Sequence, residues 1–299
     1  MGTVQWENIP AERAEAIERR VGQIVKAEPV TGGLMPGLAA ILHTDDGQRW
    51  FLKAAPEDNP AYRLYAREMI ANAAMPYGTP APRMRHASCD GGWVVMLFSF
   101  LADALDADLS PGSPDLPRVL ALLRAISAAP AWDKTPPAAE HVEALQAKAA
   151  KMLAKLPSGE PRDMYAAAVD NFHVEQITGG RLVHYDLHPG NLKITSEDEA
   201  LAVDWSFACQ GAQWLDAVLL VPRLIMAGHA PGDAEALLSG LPAWQSAPGD
   251  AVTGLAALWT MFREYKALHG PAEARQARAR AAEAGQEWVR YRMDTRARR

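Results

Sequence analysis

The stretch that most constrains the fold is residues 182–205, LVHYDLHPGNLKITSEDEALAVDW. Leu182 and Val183 lead into a Pro-Gly-containing loop that holds His184, Asp186, His188 and Asn191. Two short apolar segments follow, 192–195 and 200–203, separated by Ser196, Glu197, Asp198 and Glu199. Short apolar segments around a polar four-residue loop predict a β-hairpin. If Thr195 pairs with Ala200, the register carries Leu192 to Val203 and Asn191 to Asp204. Side chains facing each other across an antiparallel pair sit about 5 Å apart. The open end of the hairpin would then join an amide to a carboxylate, with Asp186 on the entering loop. Such hard oxygen donors suit Mg²⁺, which takes one or two protein carboxylates and leaves its other positions to phosphates and water. A slip of one residue would undo the pairing.

At 299 residues the chain is long enough for two domains or one large one. A net charge of -6 argues against nucleic acid or an anionic membrane as partner. Cys89 and Cys209 lie far apart in sequence, so neither a disulfide framework nor a cysteine zinc site is expected, and a reducing cytoplasm fits. Acids occur early in the N-terminal segment, where a signal peptide needs an apolar core. No apolar run approaches the ~20 residues of a membrane span; the candidate at 217–221 stops at Pro222. The expectation is a soluble cytoplasmic protein, monomeric or homodimeric.

Residues 10–22 read as a short amphipathic helix, followed by strands at 24–30, 38–43 and 49–55. The loop 31–37 between the first two contains Gly32 and Gly33, which either expose backbone N–H groups to a phosphate or make a plain hairpin turn. In WFLKAA both strand faces are largely apolar, so the strand should be covered on both sides. Lys53 there is either snorkelling at an edge or held by a partner. The next helix, opening at Asn59-Pro60, places Glu68 on its inward stripe. A carboxylate facing a core needs a cation, and Lys53 is the nearest in sequence; the alternative is an exposed Glu68 beside Arg67. Strands resume at 83–88 and 93–98. After a connector, helices are expected at 115–128, 137–156, 161–177, 213–228, 232–239, 250–268 and 271–297, the last with an arginine-rich face that is either solvated or an anion or partner site.

The pattern His184-x-Asp186-Leu187-x-x-x-Asn191 has the spacing of the protein-kinase catalytic loop. Asp204 stands where the metal-binding Asp of Asp-Phe-Gly belongs, and Lys53 and Glu68 where the strand lysine and helix glutamate belong. The variant HYDLHPGN followed by VDW resembles the aminoglycoside phosphotransferase and choline-kinase-like family of small-molecule kinases. Tyr185, Asp204-Trp205-Ser206 and the missing Ala-Pro-Glu element depart from the protein kinases, and so does the glycine loop. The resemblance implies an α+β, bilobal protein-kinase-like fold. Its parts would be an N-terminal nucleotide-binding lobe at 1–98, a hinge at 99–102, and a helical lobe at 103–299 with the catalytic loop and substrate site.

The same resemblance implies roles in transfer of phosphate from ATP, or GTP, to a small-molecule hydroxyl. Lys53, aimed by Glu68, holds the α/β-phosphates. The loop at Gly32 and Gly33 and the segment of Leu97, Phe98 and Phe100 complete the nucleotide site. Asn191 and Asp204 hold Mg²⁺, and Asp186 accepts or orients the acceptor hydroxyl. Asp216, in an apolar helix, braces the catalytic loop or touches substrate, and His188 bonds local backbone or takes a direct catalytic part. Acids at 103, 106, 108 and 115 either attract a cationic acceptor or form a solvated loop. Two competing readings remain. One is a kinase-fold binding module with little turnover; the other is a metallohydrolase using His184, Asp186 and His188.

Overall fold

Strand-spaced apolar residues between positions 24 and 99 fold into one antiparallel sheet. The computed structural model describes residues 4–30 and 36–298, so Gly32 and Gly33 lie outside the described residues. In chain order the elements begin with α1 (Ala11–Val21), β1 (Ile24–Pro29), β2 (Leu38–Thr44), β3 (Arg49–Pro56), α2 (Tyr62–Ala74), β4 (Met84–Asp90) and β5 (Trp93–Ser99). The five strands lie in the order β1-β2-β3-β5-β4. Each neighbouring pair is antiparallel.

Strand β3 is central, and period-two alternation sends its side chains to two covered faces. Leu52 and Ala54 join Leu38, Leu42, Val95 and Leu97 under Ile17 and Val21 of α1. Ala55 joins Val94, Met96 and Phe98 under Ala61 and Tyr65 at the start of α2. Lys53 shares the second face, in register with Ala39 and Met96. Helix α2 begins two residues later than its Asn59-Pro60 signal predicts. The Asn59 side chain accepts the Ala61 N–H at 2.8 Å, which closes a turn ahead of the first helical residue.

The chain continues through β6 (Leu105–Asp106), α3 (Leu116–Ala128), α4 (Ala138–Leu153), α5 (Arg162–Val169), β7 (Arg181–Val183), β8 (Leu192–Ile194), β9 (Ala200–Ala202) and β10 (Cys209–Gly211). It ends with α6 (Leu215–Met226), α7 (Pro231–Leu238), α8 (Pro242–Gln245), α9 (Gly249–His269) and α10 (Arg275–Ala297). The fold class is α+β. Two compact units emerge. One is Met1–Leu105 with Thr195–Glu197 and Leu201–Ala208; the other is Asp106–Ile194 with Asp198–Ala200 and Cys209–Arg299.

The second unit is built on α9, whose residues 251–261 are all buried. The helix expected over 161–177 is broken: α5 ends at Val169 and a 3-10 turn covers Val174–Ile177. The break lets Phe172 pack on Gly254 of α9, where a Cβ would come within 2.9 Å of the Phe172 Cγ. Strands β7 and β10 pair antiparallel, Val183 with Cys209, and fix the chain that enters the His184 loop. Among the described residues no helix is long and apolar enough to cross a membrane.

Candidate active site

In the first unit the buried lysine of β3 and the carboxylate of the α2 stripe find each other. Lys53 Nζ donates to Glu68 Oε1 at 2.9 Å and Oε2 at 2.7 Å. Asp204 Oδ1 lies 3.5 Å from the same nitrogen. The segment Leu201–Ala208 belongs to this unit, tied to it by the Ala202 N–H donating to the Pro80 carbonyl at 2.8 Å. The backbone N–H of Trp205 donates to the Glu68 carboxylate. Residues 204–205 therefore meet both halves of the Lys53–Glu68 pair.

Asp204 sits in the left-handed region at φ 62° and keeps its carboxylate 44% exposed while Glu68 is buried. The Ser206 hydroxyl donates to Asp204 Oδ1 at 2.8 Å. A strained non-glycine conformation that points a carboxylate outward is a feature of functional sites. Burial opposes the charge on Lys53, but Glu68 and then Asp204 overcome it and hold its pKa above the usual lysine value. Burial pushes Glu68 up to about 7, against the pull of Lys53. The nucleotide-segment residues differ in placement. Leu97 and Phe98 are core side chains of β5, and the Phe100 ring carries the Arg49 guanidinium 4.5 Å from its centroid.

In the second unit β7 delivers a loop braced from α6. The buried Asp216 carboxylate accepts the backbone N–H of His184 on Oδ2 and that of Tyr185 on Oδ1, each at 2.8 Å. Of the two readings of Asp216, the bracing contact is the one realised. Tyr185 holds φ 73°, stacks on His141 at 4.6 Å between ring centroids, and buries a hydroxyl with no hydrogen-bond partner. This turn presents Asp186, one third exposed. Asn191 Nδ2 donates to the Asp186 carbonyl at 2.9 Å, and the Asn191 N–H to the His188 carbonyl at 2.8 Å. With its Nδ2 so committed, the amide keeps Oδ1 as its acceptor oxygen. Burial holds the His188 imidazole below its ordinary pKa.

Among the described residues no group of three or more His, Cys, Asp or Glu side chains could hold a metal ion. The three-ligand set His184, Asp186 and His188 is thus not assembled. Three of the acids after the connector are bonded to neighbours. Asp106 pairs with Lys193, and Asp108 accepts the Ser110 N–H and hydroxyl. Asp115 accepts the Asp108 N–H at 2.9 Å and faces Arg118 at 3.7 Å. Two site residues went unread in the sequence: Arg223 of α6, with Nη2 3.9 Å from Asp186 Oδ1, and Arg263 of α9, beside it over Trp259. The available signal was an arginine set against apolar helix sequence: Arg223 within 217–225, and Arg263 directly after 251–262.

A lysine–glutamate pair on strand and helix with an adjoining Asp, and a braced His-x-Asp loop, define a kinase-like phosphotransferase fold. The comparisons agree: the chain belongs to the phosphotransferase enzyme family, whose model matches residues 38–251. Among solved structures, choline kinase LicA from Streptococcus pneumoniae superimposes with a TM-score of 0.62 at 13% identity, covering 92% of this chain and 99% of that one. An aminoglycoside phosphotransferase from Alicyclobacillus acidocaldarius gives 0.59 at 14% identity, covering 91% and 92%. Aminoglycoside phosphotransferase APH(4)-Ia, in a ternary complex with AMP-PNP and hygromycin B, gives 0.57 at 15% identity, covering 92% and 98%. At these identities the likeness is one of fold. Comparison with curated proteins gives no match.

Proposed function

We propose that this phosphotransferase moves the γ-phosphate of ATP, or GTP, to a hydroxyl of a small molecule in the cytoplasm. One observation carries the reading: Lys53 is gripped by both oxygens of Glu68 with Asp204 3.5 Å away. A buried lysine fixed in this way is a positioned charge for the α/β-phosphates. APH(4)-Ia was crystallised with AMP-PNP, which supports nucleotide use by a chain of the same fold. The first unit would bind the nucleotide, with adenine against the backbone at 97–100 and the phosphates reaching the Gly32–Gly33 loop. The partly exposed carboxylate of Asp204 suits Mg²⁺, which when bound neutralises charge on the phosphates, and the amide oxygen of Asn191 is a donor of the same hard class.

The second unit supplies the acceptor chemistry. Asp186 orients the acceptor hydroxyl and takes its proton as the oxygen attacks the γ-phosphorus. The new P–O bond forms while the bridging P–O bond to the β-phosphate breaks, and ADP leaves with that electron pair. Asp216, through the His184 and Tyr185 amides, holds the loop in place; His184 and Asn191 position rather than react.

The test is ADP release from Mg·ATP by the full chain over a panel of alcohols, with Asp186→Asn as the blank. Turnover with at least one alcohol is expected, falling by ~10²-fold or more in the variant while nucleotide binding persists. Near-wild-type turnover in Asp186→Asn removes that assignment. Nucleotide binding without turnover over the whole panel would make the chain a binding module.

A further inference from the structure

The charge around Asp186 is lopsided. Arg223 and Arg263 lie over one indole, their Cζ atoms 5.4 and 4.7 Å from the Trp259 centroid. Among the described residues Asp186 is the one carboxylate acting on either guanidinium, and it is 3.9 Å from Arg223 Nη2. Arg278 of α10 and Lys266 of α9 add two further positive charges beside Arg263. Arg263 Nε and Arg278 Nη1 are buried with no hydrogen-bond partner among the described residues. Burial first, and then the neighbouring Arg223, pushes the Arg263 guanidinium down to about 10.

Two arginines share the one carboxylate of Asp186, and a third arginine and a lysine crowd Arg263, so positive charge outweighs negative charge here. Each buried donor without an acceptor is costly. A guanidinium stacked on an aromatic face still presents its in-plane N–H fork, a match for a carboxylate or phosphate. Three of the four acids that could have drawn a cationic acceptor are instead bonded: Asp106 to Lys193, Asp108 to Ser110 and Asp115 to Arg118.

We propose that the acceptor carries an anionic group, a carboxylate or a phosphate monoester, held by Arg263 and Arg223 while its hydroxyl faces Asp186. This rests on the phosphotransferase reading and narrows its substrate class. Arg263 is the specificity residue: its side chain has no carboxylate of its own, whereas Arg223 also steadies Asp186.

The experiment is calorimetric titration of the full chain with four probes: D-glycerate, sn-glycerol 3-phosphate, glycerol and choline. Each is used at about 10 mM, enough to fill a millimolar site. At least one anion should bind about tenfold or more tightly than glycerol and choline. Whichever anion wins separates carboxylate from phosphate. Arg263→Gln should abolish the preference, and Arg263→Lys, which keeps the charge without the fork, should restore part of it. Choline binding as tightly as the anions, or no anion binding, overturns the proposal. So does an Arg263→Gln variant with unchanged anion affinity and a raised KM for ATP, since the charge would then serve the nucleotide. Binding needs no turnover, so failure of every acceptor to release ADP would count against phosphoryl transfer alone.

Discussion

Lys53 and Glu68 form a two-pronged ion pair, 2.9 and 2.7 Å from one ammonium to two carboxylate oxygens, with side chains only 11% and 3% exposed. Desolvating both charges is costly and is offset by this geometry, by Asp204 beside the ammonium and by the Trp205 amide on the carboxylate. The pair is therefore a poor source of stability and a good device for fixing a charge.

That asymmetry gives the first prediction. Lys53→Met leaves Glu68 buried without its cation and should cost about 3–5 kcal/mol in urea unfolding. Lys53→Met with Glu68→Leu removes both charges and should regain most of that loss, yet should still fail to bind nucleotide. A double variant no more stable than the single would mean that the pair is held together by favourable energetics rather than by function.

The second prediction concerns pH. Glu68 has its folded pKa raised from 4.5 to about 7. Between those values the folded state holds a proton that the unfolded chain has released, so this group's contribution falls as pH rises across the window. Lys53, also raised, contributes stability that is fully present below 10.5 and lost only above it. Unfolding free energy should thus decline from pH 4.5 to 7 through Glu68, by about 1–3 kcal/mol. Glu68→Gln should flatten the slope. An unchanged slope in Glu68→Gln would assign the decline to other groups.

The Lys53–Glu68 contact was legible because two charges sat where their elements demanded apolar residues, 15 positions apart. The strands of the sheet were legible for the same reason: their burial has a period. The α5 break was not, because 161–177 keeps helical composition and only the approach of Phe172 to Gly254 ends it. Arg223 and Arg263 escaped notice because an arginine on a helix is solvated by default. What buries them is Trp259, on a helix whose approach to α6 no local pattern encodes. The three-residue strands β7 and β10 are too short to show alternation.

Tyr185 offers a third prediction. Its hydroxyl is buried without a partner, and burial raises its pKa well above the usual tyrosine value. Tyr185→Phe deletes the unsatisfied group and keeps the stack on His141. Stability should stay level or rise by up to about 1 kcal/mol. A loss greater than 1 kcal/mol in thermal unfolding would point to a polar partner such as bound water.

A fourth concerns the packing of α9 on α10. A Cβ at Gly285 would overlap the Thr260 hydroxyl and lie 3.1 Å from its Cβ. Gly285→Ala should therefore cost about 1–3 kcal/mol despite the better helix propensity of alanine. Thr260→Ala clears the space, so the double variant should be more stable than the sum of the single effects allows, by about 0.5–3 kcal/mol. Strict additivity would show that the helices part without strain.

The fifth prediction separates bracing from chemistry at Asp216. Its carboxylate accepts two buried amides at 2.8 Å, which set the backbone on either side of the positive-φ Tyr185. Burial raises its pKa, while His184, by charge and by its N–H, and the Tyr185 N–H oppose the rise. Asp216→Ala strands both N–H groups and should cost about 2–4 kcal/mol. Asp216→Asn keeps one acceptor oxygen and turns an NH₂ toward the second amide, so about half that loss is expected. If Asp216 acts only through the loop, either variant should lower kcat through misplacement of Asp186 while leaving the KM for ATP unchanged. Lys53 and Asp204, which are proposed to hold the nucleotide, belong to the other unit. A rise in that KM equal to the fall in kcat would instead place Asp216 in nucleotide binding and end the bracing assignment.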